Sequence, residues 1–319
     1  MNSKISNIFV IKTDSYFPYH NQALEECLLY TVDDDSVILY LWQNNNTVFI
    51  GKNQNAYKEC NIQELEKDGG YLARRISGGG AVYHDLGNLN FTFVSSIHNH
   101  DIDKQNKVVL EALNSLGVEC YLNGRNDLEL YGKKFSGHAY YRNKDKAFHH
   151  GTIMLEVDYD KLQRYLNVSK LKLVSKGVES VRSRVINLID FYEDLTIRKL
   201  KRALIDSFEK VYGLEANLLT EEDLDEELLD QLEDTYTNPD WKYGTIKNHR
   251  YAKEKKYDWG LLKIEYDLDK DILTDISVYT DCLDVDSLNK TKELIGKNIN
   301  DLREEYNREL NDLIKLLKE

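Results

Sequence analysis

Runs with the two-residue period of strands alternate with runs of helical period from one end of this chain to the other. That interleaving restricts the fold to the mixed α and β classes. Ile8–Lys12, Val37–Trp42, Thr47–Gly51, Leu89–Ser95 and Ile153–Val157 read as strands. Asn44-Asn45-Asn46 lies between the second and third of these and predicts a hairpin there. Gln22–Tyr30, Lys104–Leu116, Tyr159–Leu166 and Ile197–Tyr212 have helical spacing, and Gly117 marks the end of one of them. The composition shifts near residue 220. Glu221–Glu233 is acidic with leucines at helical spacing, whereas Thr235–Arg250, with Pro239, Trp241 and Gly244, has no clear period and reads as a boundary. Beyond it, Trp259–Tyr266 and Ile272–Tyr279 predict a hairpin about Asp269-Lys270-Asp271, and helical patterns cover Asp286–Ile295 and Ile299–Leu317. The expected architecture is α+β: a large unit of residues 1–245, then a small α+β unit of residues 250–319.

Charge narrows the function classes. The 319 residues carry a formal net charge of -13, which repels nucleic-acid phosphates but still permits a local basic site for a small anion. The four cysteines, Cys27, Cys60, Cys120 and Cys282, form no CxxC pair and no zinc spacing, as suits a reducing compartment. The N-terminal residues lack a signal-peptide apolar stretch, and Val37–Trp42 falls far short of the roughly 20 apolar residues that span a bilayer. A soluble, cytoplasmic protein is expected, with neither nucleic acid nor a membrane as partner.

Three segments concentrate chemistry. In Leu72–Phe93, Arg74-Arg75 precede Gly78-Gly79-Gly80, then His84-Asp85. Glycine lets a backbone approach a ligand closely, its amides can cradle an oxyanion, and an arginine can neutralise it. The segment has neither the GK[ST] of a Walker loop nor GxGxxG. In Gly124–Leu155, Asn126-Asp127 offers an amide and a carboxylate to a Mg²⁺ that holds phosphate oxygens, Lys133-Lys134 precedes Ser136-Gly137, and His149-His150-Gly151 leads into an apolar run. In Ser175–Leu188, Lys176, Arg182 and Arg184 form a basic loop able to close over an anion. Each segment taken alone also reads as a turn or a solvated charge pair. Residue chemistry by itself reaches an α+β protein with a glycine-rich, locally basic anion site.

Taken in order, the segments resemble the lipoate–protein ligase A family: RRxSGGGAVxHDxGN, GRND, K-x-SG-x-A, HHG and SKG-x-x-SVRSRV-x-NL are all present. SYFPYHNQALEEC and Gly51–Cys60 extend the resemblance, which is strong to about residue 190 and weaker beyond. It implies a biotin/lipoate-ligase catalytic domain, a central sheet flanked by helices, with a small C-terminal accessory domain. It also implies a two-step reaction in which lipoate and ATP give lipoyl-AMP, whose acyl group then passes to a carrier lysine. Carried over by position, Lys134 is the central catalytic lysine, touching both the lipoate carboxylate and the α-phosphate, while Lys133 is its solvated neighbour. Arg75, Gly80, Ala81, Val82, Tyr83, Lys176 and Gly177 fall to ATP along with Lys134. Arg75, Gly78, Gly79, His84 and His149 fall to lipoate, again with Lys134. Asp127 and Asn126 fall to Mg²⁺. The implied partners are lipoyl-domain proteins: the glycine-cleavage H protein and the acyltransferase subunits of 2-oxoacid dehydrogenases. His138 departs from the family pattern, where a smaller residue is common, and is expected to narrow the acyl pocket or alter its charge. The accepting lysine, with a free pKa of about 10.4, must lose a proton; the sequence assigns no general base, with Asp127 and an adenylate phosphate oxygen as candidates beside simple orientation of the amine.

Two other readings remain open. An octanoyl- or lipoyl-transferase of the same fold would use a cysteine thioester, yet no cysteine lies in the Lys170–Leu188 loop or just after Lys134. A non-catalytic protein binding lipoyl domains or nucleotide would have little use for Arg75, Asp127 and Lys134 together.

Overall fold

A computed structural model describes residues 5–124, 126–167, 184–245, 247–304 and 306–319. The larger part of the chain contributes strands β1 (Asn7–Lys12), β2 (Ser36–Trp42), β3 (Thr47–Ile50), β4 (Tyr71–Arg74), β5 (Val82–His84), β6 (Asn88–Ser96), β7 (Tyr121–Asn123), β8 (Asp127–Leu130), β9 (Lys133–Arg142), β10 (Lys146–Met154) and β11 (Ala216–Leu219). Eight of these form one sheet in the order β11-β1-β2-β6-β10-β9-β8-β7, and β4-β3-β5 form a second. Within the large sheet β1 pairs in parallel with β2 and β11, and the other strand pairs among the described residues are antiparallel.

Alternation assigns each strand residue to a face. Val37, Leu39 and Leu41 of β2 join Phe91 and Phe93 of β6 in one cluster, whereas Ile38, Tyr40 and Trp42 join Val94 and Phe148 in another. The first face is covered by α2 (Ile102–Ser115) and α4 (Ile197–Tyr212) through Val108, Leu113, Leu204 and Phe208. The second is covered by α1 (Pro18–Thr31) and α5 (Glu226–Thr237), through Leu24, Leu28, Leu229 and Tyr236. The short helix α3 (Tyr159–Tyr165) also packs into the first cluster. Side chains of Asp101 and Thr196 cap α2 and α4 by accepting backbone N–H bonds, which explains why both helices start where their apolar period does.

Several expectations needed correction. The Asn44–Asn46 turn is real, but β2 and β3 do not pair and belong to different sheets. The Asn21 side chain, which donates to Gln43 O and Asn44 Oδ1, ties this turn to α1 and redirects the chain. The strand expected at Ile153–Val157 is the end of β10, and the Leu155 and Glu156 amides leave the sheet to donate to Gly87 O. The aperiodic stretch after residue 235 holds a short helix, α6 (Pro239–Tyr243). It is docked by a reciprocal pair: Trp241 Nε1 donates to Arg74 O and Arg74 Nε donates to Trp241 O, both at 2.8 Å.

The remaining strands, β12 (Tyr251–Lys256), β13 (Leu261–Asp269) and β14 (Ile272–Thr280), form an antiparallel sheet backed by α7 (Arg308–Lys318). Its core of Leu262, Ile264, Leu273, Leu313 and Ile314 is separate from the other two clusters. Strand β12 gave no apolar alternation because it is a mostly exposed edge of lysines and glutamate. The helical patterns at Asp286–Ile295 and Ile299–Leu317 shrink to 3-10 turns at Asn289–Leu294 and Ile299–Asp301, then α7. Among the described residues, no helix is long and apolar enough to cross a membrane.

Candidate active site

A cavity of about 910 Å³ opens on the α1 side of the large sheet. Its walls come from α1, Trp42, the loop between β4 and β5, β5 itself, β8 to β10, and the segments 256–260 and 281–284 of the C-terminal unit.

Arg75, the first residue after β4, is 7% exposed. Its Nε donates to Ser77 Oγ and Gly78 O, and its Nη2 donates to Gly78 O and Gly80 O at 2.6 and 2.9 Å. Nη1 has no partner among the described residues. Burial lowers the guanidinium pKa to about 10, which still leaves it charged at neutral pH. The glycine run is shaped around this side chain. Gly79 has φ +92°, and a Cβ there would stand 2.9 Å from Arg75 Nη2. Its N–H donates to Cys282 O of the C-terminal unit at 3.2 Å, and Gly78 also lies against Cys282 and Leu283. Gly79, Gly80, Ala81, Val82 and Tyr83 line the cavity, whereas Gly78 is not among its walls.

Lys134 faces the same cavity from β9. A bulge in the β8–β9 pairing sets Asp127 opposite Gly137, so the Lys134 side chain reaches back over Gly137 and places Nζ 2.6 Å from Asp127 Oδ1. A Cβ on Gly137 would lie 2.5 Å from that Nζ, and this contact explains the small residue three positions after the lysine. Arg184 Nη2 meets Asp127 Oδ2 at 3.3 Å, and its neighbour Val185 bridges to Lys134. One nearly buried carboxylate thus holds two cations at the cavity wall. Lys133, one position earlier, is exposed.

The donor set tests the expected Mg²⁺ site. Asn126 donates its side-chain amide to His138 O and accepts His138 N–H at its own carbonyl. Among the described residues no group of three His, Cys, Asp or Glu side chains could hold a metal alone. Asp127 fits Mg²⁺ as the single carboxylate that such an ion commonly takes alongside substrate phosphates, provided Lys134 and Arg184 turn to the anion.

His84 lines the cavity, with Nδ1 3.3 Å from the Asn44 amide and Nε2 without a partner among the described residues. Burial, reinforced by Arg75 and His150, pushes its pKa down to about 3. The ring is neutral and keeps an N–H for an acceptor. His149 is placed otherwise than expected. In β10 it points to the α2 face, where Nδ1 meets Gln105 and Nε2 meets His138 Nδ1 at 3.0 Å. His150, one residue on and therefore on the other face, lines the cavity instead. The His138 ring packs against His149 and Phe91 and lies over Gly151, while His138 is also one of the residues that line the cavity. Lys176 and Gly177 lie outside the described residues. Sequence reasoning also missed Glu25, Trp42, Ser77 and the segments from the C-terminal unit. Glu25 sits in the quoted SYFPYHNQALEEC run, the one signal that pointed its way.

Burial raises the pKa of all four thiols, Cys60 to about 12 and Cys120 to about 11, so none offers the thiolate that a transferase would need.

Residues 17–209 match the family model of the lipoyl protein ligase A/B catalytic domain, and residues 247–305 match the bacterial lipoate protein ligase C-terminus. The chain is 36% identical over 295 residues to the lipoate-protein ligase A of Psychrobacter cryohalolentis, covering 90% of this chain and 87% of that one. The chain belongs to the lipoate–protein ligase A family. Among solved structures, LipL1 of P. falciparum in complex with lipoate superposes with TM-score 0.82 at 27% identity, covering 98% of this chain and all of that one. A lipoate-protein ligase A bound with ATP gives TM-score 0.65 at 29% identity over 76% of this chain and 99% of its own. The α+β architecture, a large mixed sheet with helices and a small C-terminal sheet, is that of lipoate–protein ligases, and this member of the family is a ligase.

Proposed function

We propose that this ligase joins free lipoate to the α-phosphorus of ATP, giving lipoyl-AMP and releasing pyrophosphate, and then transfers the acyl group to a lysine amine of a lipoyl-domain protein, releasing AMP. The observation that carries the reading is the pairing, in one cavity, of the Lys134 ammonium with the Arg75 guanidinium, whose Nη1 lacks a partner among the described residues. The first step brings a carboxylate to a phosphate, and two fixed cations remove that repulsion and hold the pentavalent charge. Lys134 turns from Asp127 to the reacting oxygens, and Arg75 Nη1 and the neutral His84 N–H donate to the anion. Gly79–Tyr83 supply the wall along which ATP lies. When bound at Asp127, Mg²⁺ would neutralise phosphate charge. In the transfer step the closed cavity keeps water from the anhydride and orients the incoming amine. Lys176 and Gly177, outside the described residues, are assigned to ATP binding.

Residues 1–245 form the catalytic domain and residues 250–319 the accessory domain in this reading, and the protein works in the cytoplasm. Its carriers are the glycine-cleavage H protein and the acyltransferase subunits of 2-oxoacid dehydrogenases. The ATP-bound and lipoate-bound relatives support the choice of substrates.

The test is intact mass of an unmodified lipoyl domain after incubation with the protein, lipoate and Mg-ATP, beside a sample given an octanoylated carrier and no ATP. A lipoyl mass gain that requires both ATP and free lipoate is expected. A gain only from the acylated carrier, or none with either donor, overturns the reading.

A further inference from the structure

A continuous line of buried hydrogen bonds runs behind Arg75. Trp42 Nε1 donates to Thr92 Oγ1 at 3.0 Å, and Thr92 Oγ1 donates to Glu25 Oε1 at 2.6 Å. Glu25 Oε1 also lies 2.8 Å from His150 Nδ1. His150 Nε2 lies 2.9 Å from Ser77 Oγ, which accepts from Arg75 Nε at 3.1 Å. Both ends are obligate donors, since an indole N–H and a guanidinium accept nothing. A serine oxygen can accept twice, so the constraint comes from the other side of the ring: the Glu25 carboxylate only accepts, and His150 therefore donates to it from Nδ1. In the neutral ring Nε2 is then the acceptor for the Ser77 hydrogen.

Glu25 is 3% exposed and has no hydrogen bond to Arg75; its charge favours the guanidinium through space, while its hydrogen bonds reach it by way of His150 and Ser77. A guanidinium is planar and rigid. Holding Nε on Ser77 and Gly78, and Nη2 on Gly78 and Gly80, leaves one direction for Nη1. We propose that Glu25 and His150 are positioning residues that act through Ser77 to orient the Arg75 guanidinium and supply its countercharge, presenting Nη1 to the substrate anion. The inference rests on the proposed lipoate and ATP chemistry for the identity of that anion. It does not rest on it for the hydrogen-bond order.

Two arms test it. The first is a double-mutant cycle on lipoate-dependent pyrophosphate release, with KM for Mg-ATP and for lipoate read separately and folding checked by circular dichroism. Glu25→Gln keeps the size and one acceptor but removes the charge, and is expected to lower kcat/KM about 10- to 100-fold, the loss typical of a hydrogen bond to a charged group. In an Arg75→Lys background the same change should cost less than about threefold, because residues acting through one another are not additive. Equal losses in both backgrounds would mean that Glu25 acts independently of Arg75, and would overturn the proposal. The second arm needs no activity. Histidine ¹⁵N spectra of the ligand-free protein should show His150 as the Nδ1–H tautomer, and Ser77→Ala should alter that signal while leaving His84 unchanged. An Nε2–H His150 overturns the proposal even if the enzyme is fully active. A wild type that releases no pyrophosphate overturns the proposed chemistry alone and leaves the spectra to decide this inference.

Discussion

Acid should unfold this protein through histidines that the fold keeps neutral. Burial holds His84 and His138 down to about 3, helped by the cations Arg75 and Lys134 respectively. Burial likewise holds His100 down to about 4 and His149 well below its ordinary value, beside His138. An unfolded histidine titrates near about 6.5. Below that pH the unfolded chain binds protons that the folded chain refuses, so stability is complete above about pH 6.5 and falls as the pH drops, by roughly 1.4 kcal/mol per pH unit for each ring. From about pH 6.5 to about pH 5, His84 and His138 together remove about 3 kcal/mol, and His100 and His149 add to the loss. Against a typical domain stability of about 5–15 kcal/mol, that is a large share of the margin at the lower end of the range. Urea unfolding across this pH range measures the slope. His138→Asn should flatten it by about 2 kcal/mol over the same interval, whatever the substitution costs at higher pH. A wild-type stability constant within about 1 kcal/mol from pH 6.5 to 5, or an unchanged slope in the variant, would refute the assignment of neutral buried rings.

Other substitutions probe the site and its supports. Lys134→Ala should fold, because Asp127 keeps Arg184, yet lose on the order of 10²–10³ in lipoyl-AMP formation, read by chromatography of the adenylate; near-normal yield would remove Lys134 from the chemistry. Gly137→Ala pushes a methyl to 2.5 Å from Lys134 Nζ, and the displaced ammonium should cost roughly 10²-fold in the same assay with little change in melting temperature. Trp241→Phe removes the indole bond to Arg74 O and should cost about 1 kcal/mol in denaturant unfolding; a neutral result would mean that α6 docks by apolar contact alone.

Part of this architecture is local and was readable as such. Ile197–Tyr212 has an apolar face at helical spacing, a threonine cap and a glycine stop, and it is a helix over those same residues. Arg75, Gly79, Gly80, Asp127 and Lys134 were legible because their chemistry is packed into short contiguous segments, and all of them line the cavity. Turn chemistry at Asn44–Asn46 announced a change of direction but not the partner of the next strand, since pairing depends on edges that distant segments present. Strand β12 was missed because an exposed edge needs no apolar alternation.

The sequence by itself determined which residue types meet an anion, where helices such as Tyr159–Tyr165 and Ile197–Tyr212 begin and end, and that neighbouring residues of a strand face opposite ways. It could not say which way. His149 and His150 are equivalent in sequence terms, and only the packing of α2 on one face and α1 on the other sends the first into a buried ring stack and the second into the cavity. Tertiary structure likewise decided that Glu25 from α1, Trp42 from β2 and Cys282 from the C-terminal unit line one cavity with Arg75 and its glycine loop. The reason is physical: periodicity is a property of one segment, whereas a cavity exists only between segments, and its walls are chosen by which apolar faces bury one another.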